Sequence, residues 1–164
     1  MIKNKSLKLM SVLLVLSLLL VGCGQAEEAE EAENQMEYIE AEDLKESIES
    51  GSDDYVILDV RKIEDYNDSH IVGSYAADQD AANKGGDDEQ GIENLKEALT
   101  EATGNEVGND DDKYALVCYS GQSYAQKATD LMIEMGISKD QIFTVKDGME
   151  AWDDGGEDYE KYLE

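Results

Sequence analysis

The sequence predicts an α/β fold built on a mainly parallel sheet. Three observations carry this. Short apolar runs alternate with helical periodicities across residues 36–153. The clearest run, Asp54-Tyr55-Val56-Ile57-Leu58-Asp59-Val60, is nearly continuous, as in a central strand buried on both faces. A second run, Lys113-Tyr114-Ala115-Leu116-Val117, passes through Cys118-Tyr119-Ser120-Gly121-Gln122-Ser123 straight into a helix. At 164 residues and 41% hydrophobic content, the chain can bury one core and not two generous ones.

In chain order, Tyr38-Ile39 is a short edge strand. Residues 41–50 form an amphipathic helix with Leu44 and Ile48 one turn apart, closed by Gly51. After the 54–60 strand, residues 63–66 form one helical turn and 71–75 a short strand. Residues 78–89 read as a polar, glycine-containing loop. Ile92, Leu95 and Leu99 mark a helix over 92–102, followed by a polar, acidic loop from 104 to 112. Residues 113–117 are the next strand. Ala125, Ala128, Leu131, Met132 and Met135 recur at helical spacing over 122–135, and Gly136 ends that helix. A strand over 141–145 and a short helix over 148–152 complete the pattern. The acidic tail, 154–164, has Tyr159, Tyr162 and Leu163 to pack.

Residues 1–22 stand apart. Lys3, Lys5 and Lys8 form a basic lead, residues 9–21 are apolar apart from Ser11 and Ser17, and Leu20-Val21-Gly22-Cys23 ends the run. This is the pattern of a secretory signal peptide, and its ending resembles the lipobox of bacterial lipoproteins. The resemblance implies cleavage before Cys23, lipidation of Cys23, and a domain held at the cell membrane facing away from the cytoplasm. The alternative is an uncleaved anchor, for which the apolar run is short. Two acyl chains on one residue hold stably where one is marginal. Residues 24–35 (GQAEEAEEAENQ) have too little apolar surface to fold. With Cys23 they form a lipidated acidic tether over 23–35, reaching at most about 40 Å when extended.

Thirteen basic residues face 40 acidic ones, a formal charge of −27, and three of the thirteen lie in the leader. That excludes nucleic acid and anionic lipid surfaces as partners of the folded domain. The acidic residues are spread along the chain as a solvated surface. With Cys23 lipidated, Cys118 is the only free thiol, so no disulfide forms within the chain.

Cys118 lies where a strand turns directly into a helix. A thiol there meets unpaired backbone N–H groups and the positive end of the helix dipole, conditions that favour the thiolate and cradle an anion. The N–H groups of Tyr119, Ser120, Gly121, Gln122, Ser123 and Tyr124 are the candidate cradle. Gly121 permits a backbone shape that a Cβ would hinder, and the hydroxyls of Ser120, Ser123 and Tyr124 are further donors. The competing reading is a buried, inert cysteine packed as a small hydrophobe. The strand–turn–helix setting favours the reactive one.

These residues also carry a family resemblance. Val56-Ile57-Leu58-Asp59-Val60-Arg61, with Glu64, Tyr66, His70-Ile71 and Gly73, resembles the first signature of rhodanese-like domains. Leu116 to Ser123 resembles their active-site loop, and Gly148-Met149-Glu150-Ala151-Trp152 their closing motif. The resemblance spans about residues 36–153 in the family's order. It implies a single rhodanese-like domain, a three-layer fold with helices on both faces of the sheet. Cys118 would be the nucleophile that takes sulfane sulfur as a persulfide from a small donor. A thiol or cyanide-like acceptor would then remove it, with no cofactor. A catalytically weak binding or sulfur-sensing module on the same fold is the alternative.

Two departures bear on this. Many members carry a cation at the end of the loop, where Ser123 and then Tyr124 stand here. A doubly negative donor such as thiosulfate is therefore disfavoured against a persulfide or polysulfide. The missing guanidinium also argues against cysteine-phosphatase chemistry, which needs a fork on the phosphoryl oxygens. The family's usual prolines beside His70 are absent, Val72 replacing one, in a chain without proline.

The remaining candidates have supporting roles. Arg61, the only arginine, suits an ion pair with Glu64 or Asp59. Asp59 suits either a capping role or one facing the cysteine loop. His70, the only histidine, cannot build a multi-histidine metal site, and its motif position favours turn packing over general-base work. Asp78, Asp80 and Glu89 match three positions of a calcium loop, but Ala82 and Asn83 break the template. Trp152 caps the core.

Overall fold

In the computed structural model, residues 35–164 are described. The expected signal peptide over 1–22, the expected lipidation at Cys23 and the expected tether up to residue 34 lie outside them. Five parallel strands form one sheet in the order β1-β5-β4-β2-β3. They are β1 (Glu37–Ile39), β2 (Val56–Asp59), β3 (Tyr75–Ala76), β4 (Tyr114–Val117) and β5 (Ile142–Val145). The helices are α1 (Ala41–Ser50), α2 (Ile63–Asp68), α3 (Asp80–Gly85), α4 (Asp88–Thr103), α5 (Ser123–Glu134), α6 (Gly148–Asp154) and α7 (Glu157–Glu160). Among the described residues, no helix is long and apolar enough to cross a membrane.

The period of two along each strand divides the core into two layers. Leu58, Val60, Tyr114, Leu116 and Cys118 pack with Leu95 and Leu99 of α4 and Ala125, Ala128 and Met132 of α5. Ile57, Ala115, Val117 and Val145 pack with Leu44 of α1 and Met149 and Trp152 of α6. The register Leu58↔Leu116 and Asp59↔Val117 aligns the carboxyl ends of β2 and β4. Cys118 therefore leaves the central strand at the end where parallel sheets build their sites.

Two expectations are corrected. Residues 78–89 are not a loop: they hold α3 and the start of α4. Local side-chain bonds to the backbone, rather than periodicity, start these helices. Asp78 Oδ1 accepts the Asp80 N–H at 2.7 Å, Asp87 Oδ1 accepts the Gln90 N–H at 3.2 Å, and Ala82 is buried against α4 and α5. Residues 71–75 are not one strand either. A turn at Gly73 (φ +76) interrupts them, leaving Ile71 in an isolated antiparallel bridge with Leu163 and β3 confined to Tyr75–Ala76. At this turn the Val72 N–H donates to Tyr162 O at 2.8 Å, a bond that a proline at this position has no hydrogen to make.

The three apolar residues of the tail all pack. Tyr159 meets Trp152 edge to face at 5.1 Å and its carbonyl accepts the indole N–H at 3.1 Å. Tyr162 and Leu163 pack against the same layer.

Candidate functional site

The turn after β4 is held by the turn after β5. The Cys118 carbonyl accepts the Met149 N–H at 2.8 Å, and the Tyr119 carbonyl accepts that of Glu150 at 3.1 Å. Two glycines make so close an approach possible. A Cβ on Gly148 (φ +53) would stand 2.2 Å from the Cys118 carbonyl oxygen, and one on Gly121 (φ +65) 2.7 Å from that of Val145. Asp147 between them is itself left-handed, at φ +59. The residues of the closing motif thus brace the cysteine loop from behind.

Cys118 is 1% exposed. Among the described residues, no protein acceptor pairs with the backbone N–H groups of Tyr119, Ser120, Gly121, Gln122, Ser123 or Tyr124. The loop opens the twelve-residue helix α5, so its donors without a protein acceptor belong to the positive end of that helix.

The side chains depart from expectation. The Tyr124 hydroxyl is spent, because it donates to Asp80. The Tyr119 hydroxyl donates to Asp65 and accepts the Lys62 N–H at 3.3 Å. Ser123 Oγ accepts from Asn83 Nδ2 at 3.5 Å, which leaves its own proton to donate. Gln122 is exposed and Ser120 half-buried. Burial and the Asp65 carboxylate raise the Tyr119 pKa. Burial and Asp80 raise that of Tyr124. The Tyr124 hydroxyl, followed by Lys84 at 3.0 Å, holds the Asp80 carboxyl below its ordinary range.

Arg61 pairs with Asp59 and not with Glu64. Nη2 meets Oδ2 at 2.7 Å, Nε meets Oδ1 at 3.0 Å, and the Arg61 N–H also donates to Oδ1 at 3.0 Å. Nη2 donates to the Ser69 carbonyl as well, at 2.7 Å. Both side chains are buried, so the pair ties β2 to the turn before His70 and is not free for a ligand. His70 stacks on Tyr66 with ring centroids 3.8 Å apart, Nδ1 lies 2.9 Å from the Tyr66 carbonyl, and Nε2 faces Glu164 at 3.6 Å. Its contacts are those of a turn-packing residue.

The profile of the rhodanese-like domain matches residues 40–154. The chain belongs to the rhodanese-like family. Comparison with curated proteins finds no match. Among solved structures, the rhodanese-like domain of an Anabaena sp. protein is 24% identical with a TM-score of 0.53, over 74% of this chain and 76% of that one. A Bacillus halodurans protein is 18% identical with a TM-score of 0.54, over 73% and 72%. A Rhodopseudomonas palustris protein described as a possible tyrosine phosphatase is 21% identical with a TM-score of 0.51, over 74% and 82%. At these identities the likeness is one of fold.

Within the rhodanese-like frame, the sequence pointed to the loop but not to what surrounds it. Asp65 lies on α2 with Lys62 at its N-cap, and Asp80 and Lys84 lie on α3, far from Cys118 in the chain. Their only sequence trace was the Asp78/Asp80 spacing, which is a local side-chain-to-backbone bond at the start of α3.

Proposed function

We propose that this chain is a sulfurtransferase tethered at the cell membrane outside the cytoplasm, carrying sulfane sulfur as a persulfide on Cys118. The observation that supports it best is the thiol at the carboxyl end of the central strand, followed by a loop that opens α5 and whose N–H groups have no protein acceptor among the described residues. In the first step the Cys118 thiolate attacks the sulfane sulfur of a donor R–S–SH. The new Cys118 S–S bond forms as the donor S–S bond breaks, and the donor leaves as its thiolate. An acceptor thiolate then attacks the terminal sulfur, takes it away as a persulfide and returns Cys118 to its thiolate.

The donor is a persulfide or polysulfide rather than thiosulfate. Ser123 replaces the loop cation, and the one arginine is committed to Asp59. The same commitment argues against phosphoryl transfer. Tethering rests on the leader pattern and Cys23.

A binding module of low turnover is the second reading, favoured by the burial of Cys118. Intact-mass measurement after exposure to polysulfide or thiosulfate separates the two. Sulfur added to the wild type, absent from Cys118→Ser and removed by cyanide or a thiol, supports the enzyme. No adduct from any donor supports the module.

A further inference from the structure

Both tyrosines of the cysteine loop have their hydroxyls tied to carboxylates outside it. Tyr119 donates to Asp65 on α2, and Tyr124 to Asp80, the first residue of α3. Their rings meet edge to face with centroids 5.2 Å apart. Tyr124 belongs to the buried layer that contains Cys118, and Tyr119 packs against that layer. Lys62 N–H and Asn83 Nδ2 complete the grip of α2 and α3 on the loop.

The charges on this rim do not favour an anion. Lys84 lies 3.0 Å and Lys62 4.0 Å from the same Asp80 oxygen. Against these two cations stand Asp65, Asp78 and Asp80, while Arg61, 5.9 Å from the Tyr119 ring, is neutralised by Asp59. The balance is negative, on a chain already at −27. Aromatic edges, by contrast, are good surfaces for uncharged sulfur.

We propose that Tyr119 and Tyr124, in the loop that follows Cys118 and fixed by Asp65 and Asp80, are the specificity-determining jaws of the site. They admit uncharged sulfane species, protonated hydropersulfides and neutral polysulfanes, and turn away anions such as thiosulfate. The substrate class rests on the sulfur-transfer reading; the jaws rest on the contacts themselves.

The test uses two methanethiosulfonates on the whole chain, one with a methyl arm and one with an ethylsulfonate arm. With either, the Cys118 thiolate attacks the reagent's sulfenyl sulfur, a mixed disulfide forms and methanesulfinate leaves. The ratio of anionic to neutral rates reads the potential at the thiol without any sulfane chemistry. Asp65→Asn and Asp80→Asn should each raise that ratio about twofold at low ionic strength, and together about fourfold, as expected for single charges near a Debye length away. Molar salt should erase the gain. Glu46→Gln, exposed on α1 against the opposite layer, should leave the ratio where it is. Tyr119→Phe and Tyr124→Phe keep the rings but lose the tethers, and should raise the neutral rate at least about threefold.

Asp variants that behave like Glu46→Gln, or Phe variants with unchanged neutral rates, overturn the jaws. Sulfur loading of the wild type by a hydropersulfide, read by intact mass, is scored separately. No loading sinks sulfur transfer while the probe ratios still judge the jaws. Loading with unmoved ratios sinks the jaws alone.

Discussion

Gly148→Ala is the sharpest test of how the cysteine loop is held, because Gly51→Ala provides its internal control. Gly51 closes α1 at φ +64 with nothing within 4 Å of an added Cβ. There alanine meets only left-handed strain, about 1–2 kcal/mol, offset by about 0.5 kcal/mol from the stiffer unfolded chain. The net loss is about 1 kcal/mol. Gly148 has the same backbone sign at φ +53, but its Cβ would lie 2.2 Å from Cys118 O and 2.9 Å from Gly121 N, both main-chain atoms. No side chain can swing away, so the turn after β5 must retreat from the loop. That retreat breaks the 2.8 Å Met149–Cys118 and 3.1 Å Glu150–Tyr119 hydrogen bonds, each about 1 kcal/mol. Residual overpacking adds about 1 kcal/mol. The total is about 4 kcal/mol, about 3 more than the control. Urea unfolding followed by fluorescence of the buried Trp152 measures it. At a slope of about 2 kcal/mol per molar, Gly148→Ala should lower the midpoint by about 2 M and Gly51→Ala by about 0.5 M. Equal losses would refute the claim that closing motif and loop are in backbone contact.

Three further outcomes follow from other contacts. Arg61→Met strands the buried Asp59 carboxylate and should cost about 3 kcal/mol by urea midpoint, while Arg61→Met with Asp59→Leu should recover most of it. Removing residues 157–164 takes the Tyr159 carbonyl from the Trp152 indole; a red-shifted emission and a loss of about 2 kcal/mol are expected. Stability should be flat from mild acid to mild alkali and fall at both ends. Asp80 is depressed by Tyr124 and Lys84, so its contribution is present above its unfolded value near 3.8 and is lost as pH falls through the lower folded value. Tyr119 is raised by burial and Asp65, so its contribution is present below its unfolded value near 10 and is lost as pH rises through the folded value. Asp80→Asn should shrink the acid limb and Tyr119→Phe the alkaline limb in urea midpoints measured across pH.

The strands and the large helices were legible because each buries a periodic apolar set. Val56, Ile57 and Leu58, and Leu116 with Val117, announce strands buried on both faces, and Leu131 and Met132 announce α5. The cysteine loop was legible because it joins two such elements. What escaped was built by polar groups. α3 exists through Asp78, Gly86 and one buried alanine, Ala82, and no apolar period marks it. The grip of Asp65 and Asp80 on the loop tyrosines spans 54 and 44 residues of chain, beyond any local pattern. Arg61 could be read as a paired arginine, yet its choice of Asp59 over Glu64 depends on the β2 end placing Asp59 inward.

Those polar contacts share one chemistry. Tyr119, Tyr124, Tyr159 and Tyr162 donate to Asp65, Asp80, Glu42 and Glu49, the last two at 2.6 and 2.5 Å. A chain with 13 cations for 40 carboxylates cannot pair its acids with lysine. A phenol gives a carboxylate a strong charge-assisted hydrogen bond without cancelling its charge. Packing is gained, α2 and α3 are fixed on the loop and α7 on α1, and the repulsive surface that keeps the domain soluble is retained. At the loop the choice of donor has a chemical consequence. Extra lysines gripping Asp65 and Asp80 would hold those helices equally well but add cations to the rim, inviting the dianions that, on the proposed reading, the absence of a loop cation disfavours. Phenols hold the same carboxylates and leave the mouth negative, so the architecture of the rim and the identity of Ser123 act in one direction.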